Sequence, residues 1–189
     1  MIYDKEIQGN IGLFENPQII KFKDTIILTP VFQDYLEAES ILFLKNSNTE
    51  DVKKYLKNVY VENQKDAHKK LLDLMGRYLF KSSLFYCIRL TNQNIPIGYI
   101  HLNTPLALTG INSWTVDFWM GSEFQQKNIM TASLSQTLSY LQQNNVPEMN
   151  ALVHIENTKS RKLLEKIGFR IDHQEQGGEK RFVYKIKLN

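Results

Sequence analysis

The spacing of apolar positions changes several times along the chain. FKDTIILTP (22–30) is rich in β-formers and stops at Pro30, which predicts a first strand. Residues 31–80 are mostly helical in pattern. NTEDVKKYLKNVY predicts one short helix, with Asn48 or Thr49 as its cap. NQKDAHKKLLDLMGRYLF predicts a second, with Ala67, Leu71, Leu74 and Met75 along one side. The period then shortens. SLFYCIRL (83–90) and IPIGYIHL (95–102), parted by the turn TNQN, predict a hairpin. SWTVDFWMG (113–121) alternates, with Trp114, Val116, Phe118 and Met120 on one face. From about 128 to 143, Met130, Leu134, Leu138 and Leu141 recur at helical spacing. MNALVHI (149–155) predicts a strand and TKSRKLLEKIG a short helix. FRIDHQEQ and KRFVYKIKL, either side of Gly177 and Gly178, predict a closing hairpin.

The order is therefore strand, two helices, three strands, helix, strand, helix, two strands. It predicts a mixed α/β sheet whose carboxyl-edge loops are the natural place for a ligand. No internal repeat, low-complexity tract or long linker interrupts the pattern. Residues 1–20 read as an irregular arm, and 1–189 as a single domain.

Composition narrows the functional classes. A net charge of +3 does not compel a nucleic-acid partner, though it would not oppose an anionic ligand. No concentrated basic stretch with interleaved aromatics supports nucleic-acid binding. One cysteine, Cys87, excludes an internal disulfide framework and fits a reducing compartment. The first residues do not form a signal peptide, and no window reaches the ~18 apolar residues of a membrane span. The expectation is a cytoplasmic protein without membrane or nucleic-acid partners, monomeric or homodimeric.

Two strings carry candidate chemistry. In NTKSRKLLEKIGF, Asn157 can cap a helix that Gly168 closes, with Leu164 and Phe169 placed as the apolar contact of a Schellman turn. In EFQQKNIMTASL, a strand leads through Gly121–Phe124 into a helix start. The first N–H groups of such a helix lack partners and form the positive end of its dipole, which suits a phosphate. Lys127 adds a cation at that end.

Together, N-x-x-S-x-x-L-L-E-K-x-G-F and the upstream Q-x-K-x-I-M-T resemble the GNAT superfamily of acyl-coenzyme A N-acyltransferases. Within it the chain looks like the branch of ribosomal-protein N-terminal acetyltransferases and their small-molecule relatives. DTIILTP, FYCIRLTNQNIPIGYIHL and TVDFWM extend the resemblance over roughly residues 22–189. It implies a GNAT fold: a mostly antiparallel seven-stranded sheet, a splayed parallel pair formed by its fourth and fifth strands, and flanking helices. The donor implied is acetyl-CoA, with no metal. The four histidines show no metal-ligand spacing.

The resemblance also assigns residues. The phosphate loop of the superfamily maps onto Gln125, Gln126, Lys127, Asn128, Ile129 and Met130, running into Thr131. Met130 stands where glycine or alanine is usual, and Asn128 replaces the central glycine. Asparagine is among the non-glycine residues that tolerate positive φ, so the backbone can survive, although its side chain could crowd a phosphate. The backbone of Phe118, Trp119 and Met120 would lie beside the pantetheine arm. Asn157 would bond that arm, and Ser160 would face the sulfur as a donor to the leaving thiolate.

Direct acetyl transfer to an amine also needs a route for the ammonium proton. Asp117, an aspartate inside a strand, is the candidate base, with a structural bond as the competing reading. His154 could relay a proton or serve structure alone. His101 could line an acceptor pocket. Cys87 reads as a buried small hydrophobe. Trp114 and Trp119 fall on opposite faces, one for the core and one a possible cleft wall. The function expected is N-acetyl transfer through a tetrahedral intermediate to a protein N-terminal or small-molecule amine. The alternative is a CoA-binding module with little or no catalytic activity, which Asn128 motivates.

Overall fold

The computed structural model describes residues 12–15, 20–22, 26–30, 36–90, 95–107, 113–175 and 178–188. The TNQN turn, Gly177 and most of the N-terminal arm lie outside the described residues. The elements in chain order are α1 (Gly12–Glu15), β1 (Ile20–Phe22), β2 (Ile26–Pro30), α2 (Leu36–Ser47), α3 (Glu50–Tyr55), α4 (Gln64–Leu79), β3 (Ser83–Leu90) and β4 (Ile95–Asn103). They continue as β5 (Thr115–Met120), α5 (Ile129–Gln143), β6 (Glu148–His154), α6 (Thr158–Lys166), β7 (Arg170–Gln174) and β8 (Arg181–Lys187).

One sheet runs in the order β1-β2-β3-β4-β5-β6-β8-β7. Every neighbouring pair is antiparallel except β5 and β6, which are parallel. The fold is the mixed α/β one expected, with eight strands in place of seven. The extra strand arises where one was predicted over 22–30: Ile20–Phe22 folds back antiparallel on Ile26–Leu28. Part of the predicted irregular arm is therefore ordered. In α1, Leu13 is fully buried, and Tyr78 donates a 2.6 Å hydrogen bond to the Phe14 carbonyl.

Strand alternation divides the core in two. Leu84, Tyr86 and Ile88, with Ile100, Leu102, Trp114, Val116 and Met120, face α5 and α6. Phe85, Cys87, Tyr99 and Trp119 face Phe43, Val52, Ala67, Leu71 and Leu74 from α2–α4. Both tryptophans are core residues. The Trp119 indole N–H donates to Ser47 Oγ at 2.9 Å and its ring packs 5.2 Å from Tyr99. Burial pushes the Cys87 thiol up, away from the range of a reactive thiolate.

Two helices came with legible ends. Thr49, the second of the two candidate caps, accepts from the Val52 N–H. At the end of α6, Phe169 N–H donates to Leu164 O and Gly168 N–H to Glu165 O, the two bonds of a Schellman close. Leu164 and Phe169 are fully buried, and Gly168 takes φ 105°. This turn sends the chain from the candidate site into β7. Gly168→Ala should cost about 1–2 kcal/mol. In thermal unfolding that is a loss of roughly 3–6 °C in Tm for a chain of this size; an unchanged Tm would contradict the backbone argument.

Candidate functional site

The site begins where two strands part. β5 and β6 share one register pair, Thr115 with Asn150. The Asn150 N–H donates to Trp114 O at 2.8 Å, and its side-chain amide donates to Ser113 Oγ. Beyond that point β5 continues to Met120 paired only with β4, and β6 continues to His154 paired only with β8. Backbone groups on the facing edges of the two strands are thus left unpaired, and such groups need a partner.

A cavity of about 330 Å³ opens at this gap. Its lining includes Phe118, Trp119 and Met120 from β5, the run Gln125–Thr131, and Asn157 and Ser160 at the start of α6. All the residues expected to meet the donor therefore surround one space. Pattern reasoning missed the remaining wall: Thr49, Asp51, Val52, Tyr55 and Leu56 come from around α3. Nothing local marks α3 as part of a site, because its contribution depends on how the helix crosses the open end of β5 and β6.

The turn entering α5 is held by several contacts. Gly121 N–H donates to Ile97 O at 3.0 Å, and a Cβ at Gly121 would run into Asn46 Oδ1. The Gln125 amide donates to Met120 O at 3.2 Å. Gln126 and Asn128 both take left-handed backbone, at φ 60° and 58°. Asn128 does so as the N-cap of α5 without a side-chain capping bond. The N–H groups at Ile129–Thr131 are thus left uncapped at the positive end of the helix. The Asn128 amide oxygen instead accepts from Lys166 Nζ at 3.1 Å. Asn128 lines the cavity and Lys166 does not.

The charge distribution points the same way. The first turns of α5 and α6 contain no acid. Lys127, Lys159 and Lys162 line the cavity at these two helix starts. Cations there oppose the helix dipoles, so an anion between them would relieve an otherwise unfavourable arrangement. Lys159 is also tied to Asp51 at 3.0 Å, which links α6 to α3 across the opening. Lys54 and Glu156 make a second exposed link at 2.9 Å. Their hydrogen bond raises the Lys54 ammonium and lowers the Glu156 carboxyl from ordinary values.

Asn157 fulfils the simpler of its two readings: its side-chain oxygen accepts from the Ser160 N–H at 3.2 Å. The residue also lines the cavity. His154 lines neither cavity; its Nδ1 accepts from the Glu156 N–H at 3.3 Å and its ring packs 5.6 Å from Tyr55.

Asp117 is not among the residues around Ser160. It faces the α2–α4 side and lines a second cavity of about 530 Å³, with His101, Asn103 and Thr115 on the sheet and Leu74 and Arg77 on α4. Tyr55 and Leu56 line both cavities, so the two meet where α3 crosses the parted strands. Most charged groups of the second cavity are matched: Asp73 with Lys70 and Arg77, Glu175 with Arg181, Glu179 with Lys57. Among the described residues, Asp117 has only the His101 ring, 3.7 Å away. Among the described residues no group of three or more His, Cys, Asp or Glu side chains could hold a metal ion.

Comparisons with known proteins agree with this geometry. A family model described as "Acetyltransferase (GNAT) domain" matches residues 25–170. No curated protein sequence matches. Among solved structures, the chain is similar to the ribosomal-protein α-N-acetyltransferase RimL in complex with coenzyme A. The TM-score is 0.76 at 18% identity, over 90% of this chain and 98% of that one. A ribosomal-protein alanine acetyltransferase from Vibrio fischeri superposes at TM-score 0.71 with 15% identity, over 91% and 97%. The microcin self-immunity acetyltransferase MccE in complex with acetyl-CoA and AMP does so at 0.71 with 18% identity, also over 91% and 97%. With its parted parallel strands, its uncapped helix start and a family match over most of its length, this chain belongs to the GNAT acetyltransferases, the acetyl-CoA-dependent acyltransferase family.

Proposed function

We propose that the protein is one N-acetyltransferase domain over residues 1–189, which passes the acetyl group of acetyl-CoA directly to a primary amine. The observation that carries this reading is that two cavities share Tyr55 and Leu56 at the β5–β6 gap: one has uncapped helix N–H groups and lysines, and the other has Asp117, which stands outside that cavity's ion pairs with the His101 ring 3.7 Å away. The pyrophosphate sits on the N–H groups of Ile129, Met130 and Thr131, with Gln125, Gln126, Lys127 and Asn128 shaping the loop. The pantetheine arm runs along the free edge of Phe118–Met120 and bonds Asn157. Acetyl-CoA and an amine are the partners of a monomer or homodimer that works in the cytoplasm, where a single buried thiol needs no disulfide partner.

The chemistry follows from these placements. The amine arrives protonated and loses that proton to Asp117. The free amine attacks the thioester carbonyl, and the C–N bond forms as an oxyanion develops. Unpaired N–H groups on the β5 edge can hold that oxyanion. The C–S bond then breaks. The departing sulfur accepts a hydrogen bond from the Ser160 hydroxyl and takes up the second nitrogen proton.

The second cavity also bears on the acceptor. Its cations (Lys57, Lys70, Arg77, Arg181) balance its carboxylates (Asp73, Asp117, Glu175, Glu179) in number. An acidic cleft would favour polyamines; this one favours an acceptor with a single ammonium, such as a peptide N-terminus. No helix among the described residues is long and apolar enough to cross a membrane.

Three measurements test the reading. In a thiol-release assay with acetyl-CoA, N-terminal peptides and simple monoamines should turn over with higher kcat/KM than spermidine or aminoglycosides. Saturable acetyl-CoA binding with no turnover on any amine would favour the binding-module alternative. Ser160→Ala should lower kcat about 10–100-fold, the worth of one hydrogen bond to a charged sulfur, with acetyl-CoA affinity unchanged; an unchanged kcat removes the serine from the mechanism. Asn128→Gly should leave the calorimetric Kd for acetyl-CoA within about threefold, because Lys166 already engages the amide oxygen and glycine accepts the same φ. Asn128→Ala, strained at that φ, should lower Tm by roughly 2–4 °C. A tenfold tightening in Asn128→Gly would show that the side chain does crowd the phosphates.

A further inference from the structure

His101 has no part in the reaction as drawn above, yet its position is costly. It lies in the middle of the sheet, opposite Phe85 on β3 and Asp117 on β5. Its side chain is 4% exposed, and neither Nδ1 nor Nε2 has a hydrogen-bond partner. Phe85 meets the ring edge-on at 6.0 Å. An imidazole sealed without partners loses its hydration and regains nothing, whereas a phenyl ring would fill the same space without that loss. Asp117 is more open, with 22% of its side chain exposed, and its Oδ2 lies 3.7 Å from His101 Nδ1. That separation exceeds a hydrogen bond, but a small rotation of either side chain closes it. The other charged groups around this cavity, on α4, after α3 and at β7–β8, are in ion pairs with one another. Both side chains line this cavity from neighbouring strands, and Asp117 is the more open of the two.

We propose that His101 is the proton reservoir behind Asp117, a positioning and relay residue that makes the carboxylate an effective base; this rests on the acetyl-transfer reading above. The acceptor ammonium gives one proton to Asp117 Oδ. Asp117 passes it to His101 Nδ1 and returns to the carboxylate form. The neutral amine forms the C–N bond while the C–S bond breaks, and its second proton goes to the sulfur. When product leaves, His101 returns its proton to the cavity through Asp117. The net release is one proton per acetylated ammonium, and no other reactant is needed.

The test uses the whole chain and a peptide acceptor. His101→Phe should fold with a Tm no lower than wild type and bind acetyl-CoA within twofold. Its kcat/KM at neutral pH should fall about 10–100-fold. It should recover about tenfold per pH unit on going alkaline, as free amine supplies what the relay no longer makes. His101→Gln, polar but unable to take up the proton, should behave alike. The double variant with Asp117→Asn should lose no more than Asp117→Asn alone, as two members of one unit do. Wild-type kcat/KM and pH profile in His101→Phe would overturn the proposal and leave a packing residue. If wild type turns over no amine, the acetyl-transfer reading is what fails. The pair is then judged by ¹⁵N-histidine spectra: the Nε2–H tautomer of His101, with Nδ1 free to accept the proton, is expected in wild type, and the ring signals should shift in Asp117→Ala. An unchanged ring spectrum would overturn the pairing.

Discussion

The site exists because β5 and β6 begin as a parallel pair and then separate. A single register pair, Thr115 with Asn150, fixes where the parting starts. Each strand is held on its other side by a full antiparallel partner, β4 for β5 and β8 for β6, so neither can swing in to close the gap. The sheet is thereby continuous at one end and open at the other. The open end leaves unpaired backbone where an extended ligand can pair, and Tyr55 and Leu56 line both cavities there.

Everything around the gap serves to keep it in register. The two-sided core fixes β5: Val116 and Met120 are anchored among α5 and α6, and Trp119 among α2–α4. The Asp51–Lys159 and Lys54–Glu156 pairs bring α3 over the opening. As exposed ion pairs they add little stability; their use is in orientation. The same crossing brings Tyr55 and Leu56 to the junction of the cavities. Burial therefore accounts for the rigidity of the strands, and surface charge for the placement of the helix above them.

The α5 and α6 segments were legible because their signals are local. A cap, a heptad-like apolar stripe and a glycine at positive φ act within a few residues, and Asn157, Leu164, Gly168 and Phe169 stand as their spacing predicts. The helix over Leu36–Ser47 was not singled out within the helical stretch. Its buried face carries Glu39, Ser40, Asn46 and Ser47 around a single Phe43, so no apolar stripe marks it. Three of those polar groups are buried because the sheet supplies partners, and Ser40 donates to Glu37 O in its own helix. Glu39 pairs with Arg89 at 2.5 Å, Asn46 donates to Pro96 O, and Ser47 accepts from Trp119. The split of the first strand into β1 and β2 was hidden for a related reason: pairing between strand segments depends on where the chain turns, and the polar run Lys23–Thr25 between them carries neither glycine nor proline to mark a turn.

The sequence by itself determined the order of elements from α3 onward, the faces of β5 and the two helix starts on which an anion can sit, since periodicity, capping and backbone preference are short-range. It also singled out Asn128 as the residue to question. Tertiary structure added its partner, because the contact of its amide oxygen with Lys166 joins residues 38 positions apart. It also decided that Ser160 and Asp117 line different cavities, and that His101 stands beside Asp117 on the neighbouring strand. Those relations arise from cross-strand register and from the crossing of α3, which bring together groups that no local spacing connects.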